Sequence, residues 1–252
     1  MERQDLCIVL HRRIAPCEVL AGFDTCHNTP PFKSRHHPNS TITRALIAKF
    51  RNAGQTCVCA NRLYVQSGVY EEFSKKLADR VSAVNIGDGF VDGVTVGPLI
   101  NEAALQKVET HLSDAVAKGA TPITGGQRHA LGGTFFEPTV VTGMTKEMLV
   151  SHEETFGPIA PLFEFETEDE AVALANDTEF GLAGYFYSND IRRVWRVAER
   201  LETGMVGINT GLISTEVAPF GGVKQSGQGR EGSKYGADDY LELKYMCFGE
   251  IK

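Results

Sequence analysis

No uninterrupted apolar run in these 252 residues approaches the roughly 18 residues of a membrane-spanning helix. Positive charge is not in excess either. The 25 Lys and Arg stand against 32 Asp and Glu, and the net charge of −7 argues against nucleic acid or an anionic membrane surface as the main partner. The opening "LCIVL" is too short and too badly flanked for a secretory signal. Six cysteines in a chain of this length do not make a disulfide scaffold, so we expect reduced thiols and a cytoplasmic location. There is no internal repeat, no low-complexity tract, and no Walker, HExxH or GxSxG motif. What is present, 42% hydrophobic and 23% charged residues, is ordinary for a soluble globular protein with enough length for a real core.

The chain carries two textures. Residues 1–44 hold three of the six cysteines, four of the seven histidines and four of the ten prolines, and no period lasts in "HRRIAPCEVLAGFDTCHNTPPFKSRHHPNS". This composition predicts an irregular or disordered leader over 1–43. Cys17, Cys26, His27, His36 and His37 match no usual zinc-ligand spacing, and no metal site is expected.

From Thr43 the pattern becomes regular. "TRALIAKF" predicts a short helix and "RLYVQ" a strand. Ser67 can cap a helix with apolar residues at Val69, Phe73, Leu77, Val81 and Val84. A second helix from Asn101 places Leu105, Val108, Leu112 and Val116 on one face and stops at Gly119. "FFEPTVV" is extended, Thr167 and Glu170 suggest a capping box, and "GYFYS" reads as a strand. "DIRRVWRVAERLETG" is a helix burying Val194, Val197, Ala198 and Leu201, "MVGIN" a strand, and "YLELKYMCF" a last strand. Alternating strands and helices predict an α/β fold with a largely parallel sheet.

"GQGREG" at 227–232 matches G-x-G-x-x-G letter for letter. A dinucleotide fingerprint should follow a strand and open a helix. This one follows the loop "APFGGVKQS" and precedes "SKYGADDY", a poor helix, so it reads as a glycine-rich loop.

The other local signal is "FRNAGQTCVCANR", with Cys57 and Cys59 one residue apart. A C-x-C disulfide ring is strained, and no metal partners flank the pair. Two small residues buried on the way into a strand are one reading. The other is a nucleophile, because a thiolate outperforms a hydroxyl in attack on a carbonyl carbon near neutral pH. Asn52, Gly54 and Gln55 would let the backbone turn tightly there and aim N–H groups at an oxyanion.

"FRNAGQTCVCANR" closely resembles the catalytic-cysteine segment of the aldehyde dehydrogenase superfamily. So do "EETFGPIAPLF", "FGLAGYFYS", "GMVGIN" and "APFGGVKQSGQGREGSKYG", in the family's order and spacing, and the resemblance runs over 44–252. "TCVC", "GLIS" and "YLELKY" are most similar to the succinate-semialdehyde branch. The resemblance implies a catalytic domain over 44–236 and an oligomerisation strand over 237–252. It implies oxidation of a small aldehyde bearing a carboxylate, succinate semialdehyde to succinate, with NAD or NADP.

Carried over by residue, Cys57 matches the nucleophile that forms a thiohemiacetal and then a thioester. Its backbone N–H matches an oxyanion donor. Glu154 and Phe156 match cofactor contacts; read without the family they are an acidic helix cap and a core aromatic. Phe220 matches an aromatic near the substrate mouth, or is a core ring beside a glycine turn. Arg51 and Ser214 match contacts to the substrate carboxylate, for which a guanidinium is suited by its paired donors; Arg51 as a surface cation is the plainer alternative. Cys59 matches a redox partner of the nucleophile in that branch. The resemblance also implies a homo-oligomer.

The family's Rossmann-like cofactor half, its general-base glutamate in an E-L-G-G segment, and its oxyanion asparagine have no match in this sequence. A positioned base contributes roughly 10²–10⁴-fold to rate, so the chain by itself is expected to have negligible dehydrogenase activity. Two alternatives follow: a cofactor-independent thiol esterase or acyl-transferase domain, and a non-catalytic subunit that pairs with full-length family members.

Overall fold

A computed structural model describes the strand at residues 5–9, by its backbone, and residues 41–250. The histidine- and cysteine-rich stretch lies outside the described residues. Seven strands form one sheet: β1 (Asp5–Val9), β2 (Ala60–Gln66), β3 (Thr121–Thr124), β4 (Thr139–Thr142), β5 (Ile159–Phe165), β7 (Ala183–Tyr187) and β8 (Met205–Ile208). Their order is β3-β4-β5-β2-β1-β7-β8, and only the edge strand β3 runs antiparallel. A small ribbon pairs β6 (Phe180–Gly181) with β9 (Val223–Lys224).

The parallel sheet is buried on both faces, as crossover helices require. Alternation along each strand divides the core in two. Tyr64, Val141, Ile159, Phe163, Phe165 and Phe186 face one layer, closed by α3 (Glu102–Ala117), α4 (Glu168–Asn176) and α5 (Ile191–Arg200). Leu63, Val65, Val140, Leu162, Tyr185 and Tyr187 face the other, covered by α1 (Thr41–Phe50) and α2 (Ser67–Val81). The result is a three-layer α/β fold.

Several local expectations need correction. Within the leader expected to be irregular, residues 5–9 form β1, paired in parallel with β2 on one side and β7 on the other. A short apolar run is what a strand buried at a sheet's centre calls for, and "LCIV" is one. At the other end, "YLELKYMCF" forms no ladder among the described residues. A 3₁₀ helix spans Lys234–Tyr240, and 241–250 have no regular structure because no described strand lies beside them. Ser67 is the first helical residue rather than the cap; its hydroxyl bonds Glu166 at 2.7 Å. Val116 is 47% exposed. α5 ends at Arg200, well before Gly204, although the expected face holds: Val197 and Leu201 are buried, and Val194 and Ala198 pack half-buried on the same layer.

The helix start expected near Asn101 and the cap expected at Thr167 hold. Asn101 accepts from the Ala104 N–H, and Thr167 from the Glu170 N–H. Glu170 returns a bond to the N–H of Glu166, one residue earlier than a standard box.

Glu168 joins α4 to α5 by bonds to Arg193 at 2.8 Å and Arg196 at 2.6 Å. Arg196 first, then Arg193, hold its carboxyl below the ordinary value of 4.5, against the opposing effect of burial. A depressed folded pKa gives stability that is present above pH 4.5 and is lost as pH falls through the depressed value. Glu168→Gln should therefore cost about 1 kcal/mol at pH 7, and the difference between the two proteins should narrow as pH falls below 4.5. Urea titrations across that range check this.

Candidate active site

The cysteine segment lies between α1 and β2. Phe50 closes the helix, and Asn52, Ala53 and Gly54 all take left-handed backbone angles, with φ of 52°, 56° and 76°. Glycine adopts this conformation without penalty, and asparagine does so more readily than other residues, whereas Ala53 is held there by being buried. Gln55 then clamps the turn. Its Nε2 donates to the carbonyls of Asn52 and Pro98, and its Oε1 accepts from the Ile100 N–H at 2.9 Å. A turn closed by Cys59 N–H to the Thr56 carbonyl, 2.9 Å, carries Cys57 at its bend. Cys57 is half-buried and packs on the α1/α2 side of the sheet. The fully buried Tyr185 hydroxyl, at 2.8 Å from the Val58 carbonyl, fixes the link between the two cysteines.

Cys59 is buried, and its Sγ lies 3.4 Å from the carbonyl oxygen of Arg51. Thr56 also donates to that oxygen. Arg51 is half-buried, and its Nε, like that of Arg62, is shielded from solvent with no hydrogen-bond partner among the described residues. A buried guanidinium N–H left without an acceptor is an uncommon cost in a folded protein and fits a site for an anion.

The segment that carries Glu154 and Phe156 reaches this turn through Gly157. A Cβ on Gly54 would lie 2.2 Å from the Gly157 carbonyl oxygen, so the cysteine loop and the Glu153–Gly157 segment touch main chain to main chain. Two buried residues that the sequence reading did not single out hold that segment. Asn61 on β2 accepts from the Thr155 N–H at 3.0 Å and donates to the carbonyls of Val150 and Glu153. His111 on α3 has Nδ1 2.9 Å from Thr155 Oγ and Nε2 3.2 Å from Glu153 Oε2. Burial pushes the imidazole below its usual 6.5, with Lys107 adding to the effect and Glu153 opposing it, so the ring is neutral at pH 7. With 153 and 155 fastened inward, Glu154 is left half-buried and Phe156 39% exposed, the latter at a φ of 52°. A non-glycine residue held left-handed marks a position the surroundings over-determine. By the resemblance these two residues would meet the nicotinamide end of a dinucleotide.

The glycine-rich loop does not fit the pyrophosphate end. Arg230 Nη1 donates to the carbonyls of Gly222, Gln228 and Gly229, so this loop turns carbonyls inward around a cation. A phosphate cradle needs N–H groups aimed inward.

Ser214 and Phe220 arrive on the chain that turns back after β8. A Cβ at Gly211 would meet the Arg44 carbonyl on α1 at 2.3 Å. Gly207 sits beside the Ile213 side chain and Gly204 against the backbone of Gly221, so the return path runs along β8. Ser214 is exposed. Phe220 is half-buried, tied to Glu231 by two backbone bonds of 2.8 and 2.6 Å, and packs on the same core layer as Cys57. A cleft of about 530 Å³ opens beside Phe220 between Leu182, Arg230 and Tyr240; Cys57 does not line it.

The family model described as "Aldehyde dehydrogenase family" matches residues 36–246. The chain is 66% identical to 3-sulfolactaldehyde dehydrogenase of Pseudomonas putida, over 83% of this chain and 43% of that one. It is 63% identical to glutarate-semialdehyde dehydrogenase of Pseudomonas aeruginosa, over 84% and 44%. With the NADP(+) succinate-semialdehyde dehydrogenase of Escherichia coli it shares 62%, over 84% and 44%. The crystal structure of succinate-semialdehyde dehydrogenase from Burkholderia pseudomallei superposes with a TM-score of 0.84 at 56% identity, covering 98% of this chain and 46% of that one. A betaine aldehyde dehydrogenase from Staphylococcus aureus, solved with NAD+, gives 0.79 at 36% identity, over 96% and 44%. The chain thus spans less than half the length of these relatives.

Proposed function

The chain belongs to the aldehyde dehydrogenase family, and from that premise we propose that the protein oxidises a short aldehyde with an anion at its far end, succinate semialdehyde in particular, through Cys57. The observation that carries the reading is the buried Nε of Arg51 beside the Cys57 turn, which has no hydrogen-bond partner among the described residues. A substrate carboxylate gives that donor its acceptor. The named substrates of the three relatives, two dicarboxylic semialdehydes and a sulfonated aldehyde, all have such an anion. Ser214, on the return loop, supplies a second contact to it, and Phe220 borders the approach.

Cys57 Sγ, as thiolate, attacks the carbonyl carbon and the C–O π bond becomes an alkoxide. We assign the Cys57 N–H as one donor to that oxygen. A nicotinamide dinucleotide, NAD or NADP, supplies the hydride acceptor through which the adduct becomes a thioester, and Glu154 and Phe156 would hold its nicotinamide end. Water then breaks the C–S bond and releases the acid. We assign Cys59 as a redox neighbour of the nucleophile, a role that its burial next to the Arg51 carbonyl restrains. Self-association is assigned to the exposed apolar stretch containing Leu243, Tyr245 and Phe248.

The binding and adduct steps can be tested on the chain alone. Succinate semialdehyde should slow iodoacetamide alkylation of Cys57, followed by peptide mapping, and butanal at the same concentration should not. Arg51→Ala should weaken that protection roughly 10–100-fold, the worth of a charge-assisted hydrogen-bond pair. Equal protection in the variant, or equal protection by butanal, would overturn the reading.

A further inference from the structure

His111 has no role in the chemistry above, yet it is 2% exposed at the centre of α3 and both ring nitrogens are engaged. We propose that His111 is a positioning residue: by fixing Glu153 and Thr155 it sets the segment that presents Glu154 and Phe156 and buttresses the Cys57 loop.

The bonding pattern has one consistent assignment. A carboxylate only accepts, so the bond to Glu153 requires the proton on Nε2. A neutral ring then leaves Nδ1 as an acceptor, and Thr155 Oγ–H must donate to it. The hydroxyl is thereby committed, and the Thr155 N–H is committed to Asn61. Thr155 is held from two sides, by α3 through its side chain and by β2 through its backbone. Glu154 and Phe156 flank Thr155, and Phe156 is held at a left-handed φ of 52°. Anchoring Glu153 and Thr155 therefore fixes the backbone from which Glu154 and Phe156 project. The next residue, Gly157, meets Gly54 at the base of the nucleophile turn, so the same anchor reaches Cys57 through one backbone contact. The significance of Glu154 and Phe156 rests on the function proposed above; the anchoring itself does not.

The test uses readouts that need no cofactor. Nitrogen-15 spectra of the histidine side chains of the wild-type chain should show His111 as the neutral Nε2–H tautomer at pH 7. His111→Phe keeps the volume and removes both bonds. Thr155→Val removes one bond from the loop side without touching α3. Both should speed amide exchange of Glu153–Gly157 by roughly tenfold, the worth of one ordinary hydrogen bond, while exchange in β2 and β5 stays at the wild-type level. Alkylation of Cys57 should quicken in parallel. His111→Gln, whose amide can still donate to Glu153, should recover part of the protection. An Nδ1–H tautomer would overturn the proposal. So would exchange at 153–157 that moves no more than the sheet does, or a Gln variant no better than Phe. Should His111→Phe fail to fold, the wild-type spectrum and Thr155→Val decide. Failure of Glu154→Gln or Phe156→Ala to alter cofactor affinity would instead count against the cofactor assignment and leave these readouts untouched.

Discussion

Gly54→Ala should cost roughly 2–5 kcal/mol of stability and displace the nucleophile, although the change adds a single methyl group. Two penalties add. At a φ of +76° an L-side chain is strained, by about 1–2 kcal/mol. The new Cβ would also stand 2.2 Å from the Gly157 carbonyl oxygen and 2.7 Å from its carbon, both main-chain atoms that no rotamer change can move aside. One of the two loops must yield. Gln55 pins one to Pro98 and Ile100, and Asn61 with His111 pins the other, so the separation has to appear where they meet, at Cys57 and Phe156. The expected result is a lower urea midpoint together with loss of aldehyde protection of Cys57. Gly68→Ala is the control. It is a helical glycine in α2 with open space around its Cβ position, and alanine there should be neutral or stabilise by up to about 1 kcal/mol. A Gly54→Ala protein with wild-type stability and wild-type protection would show that the loop contact is dispensable.

The reasons for that contact were only half legible in the sequence. Asn52 and Gly54 announce a tight left-handed turn, because those residue types tolerate positive φ. Nothing in "FRNAGQTCVC" says that the turn leans on Gly157, because the partner lies about a hundred residues away and contributes only backbone. The same division runs through the fold. Thr167 caps its helix as its local spacing suggests, and the helix expected from Asn101 starts there, since an N-cap is a bond over three residues. Ser67 has the right residue type for a cap, but Glu166, distant in sequence, captures its hydroxyl. His111 is illegible on its own: a lone histidine on an apolar helix stripe reads as core, and its partners are 42 and 44 residues away. The strand at residues 5–9 was missed for a different reason. Four apolar residues without flanking turn signals carry almost no period, and only pairing with β2 and β7 defines them as a strand. The five ordered motifs, by contrast, are local strings of residues, which is why the family could be read before its geometry.

Arg62→Met is expected to destabilise the chain by about 3–5 kcal/mol, measured by urea denaturation at pH 7. Arg62 sits in β2 and is 3% exposed. Its Nη1 donates to the Tyr64 hydroxyl at 3.1 Å and the Leu174 carbonyl at 3.2 Å, and its Nη2 to the Ala175 carbonyl at 3.3 Å. These carbonyls close α4, a helix with three acidic residues in its first turn and no basic residue in its last. The cation that complements the negative end of the helix therefore comes from the sheet. Replacing a buried ion pair with apolar residues is often harmless, because both charges leave together. Here the acceptors on α4 are main-chain carbonyls and cannot be replaced, so methionine fills the volume, takes this donor from Ala175 and leaves Leu174 with the Tyr64 hydroxyl. Lysine should recover only part of the loss, since one ammonium cannot span the Tyr64 and Ala175 acceptors as the planar guanidinium does. The damage should also travel. Asn176, at the end of α4, bonds the Arg200 carbonyl and the Glu202 N–H, and Lys224 holds the carbonyls of Asn176 and Thr178. Lys224 lies on β9, four residues past Phe220, so loosening α4 should raise amide exchange along 176–180 and 220–226 before the rest of the sheet responds. Wild-type stability in Arg62→Met, or exchange that rises uniformly over the sheet, would show that the end of α4 does not depend on this guanidinium.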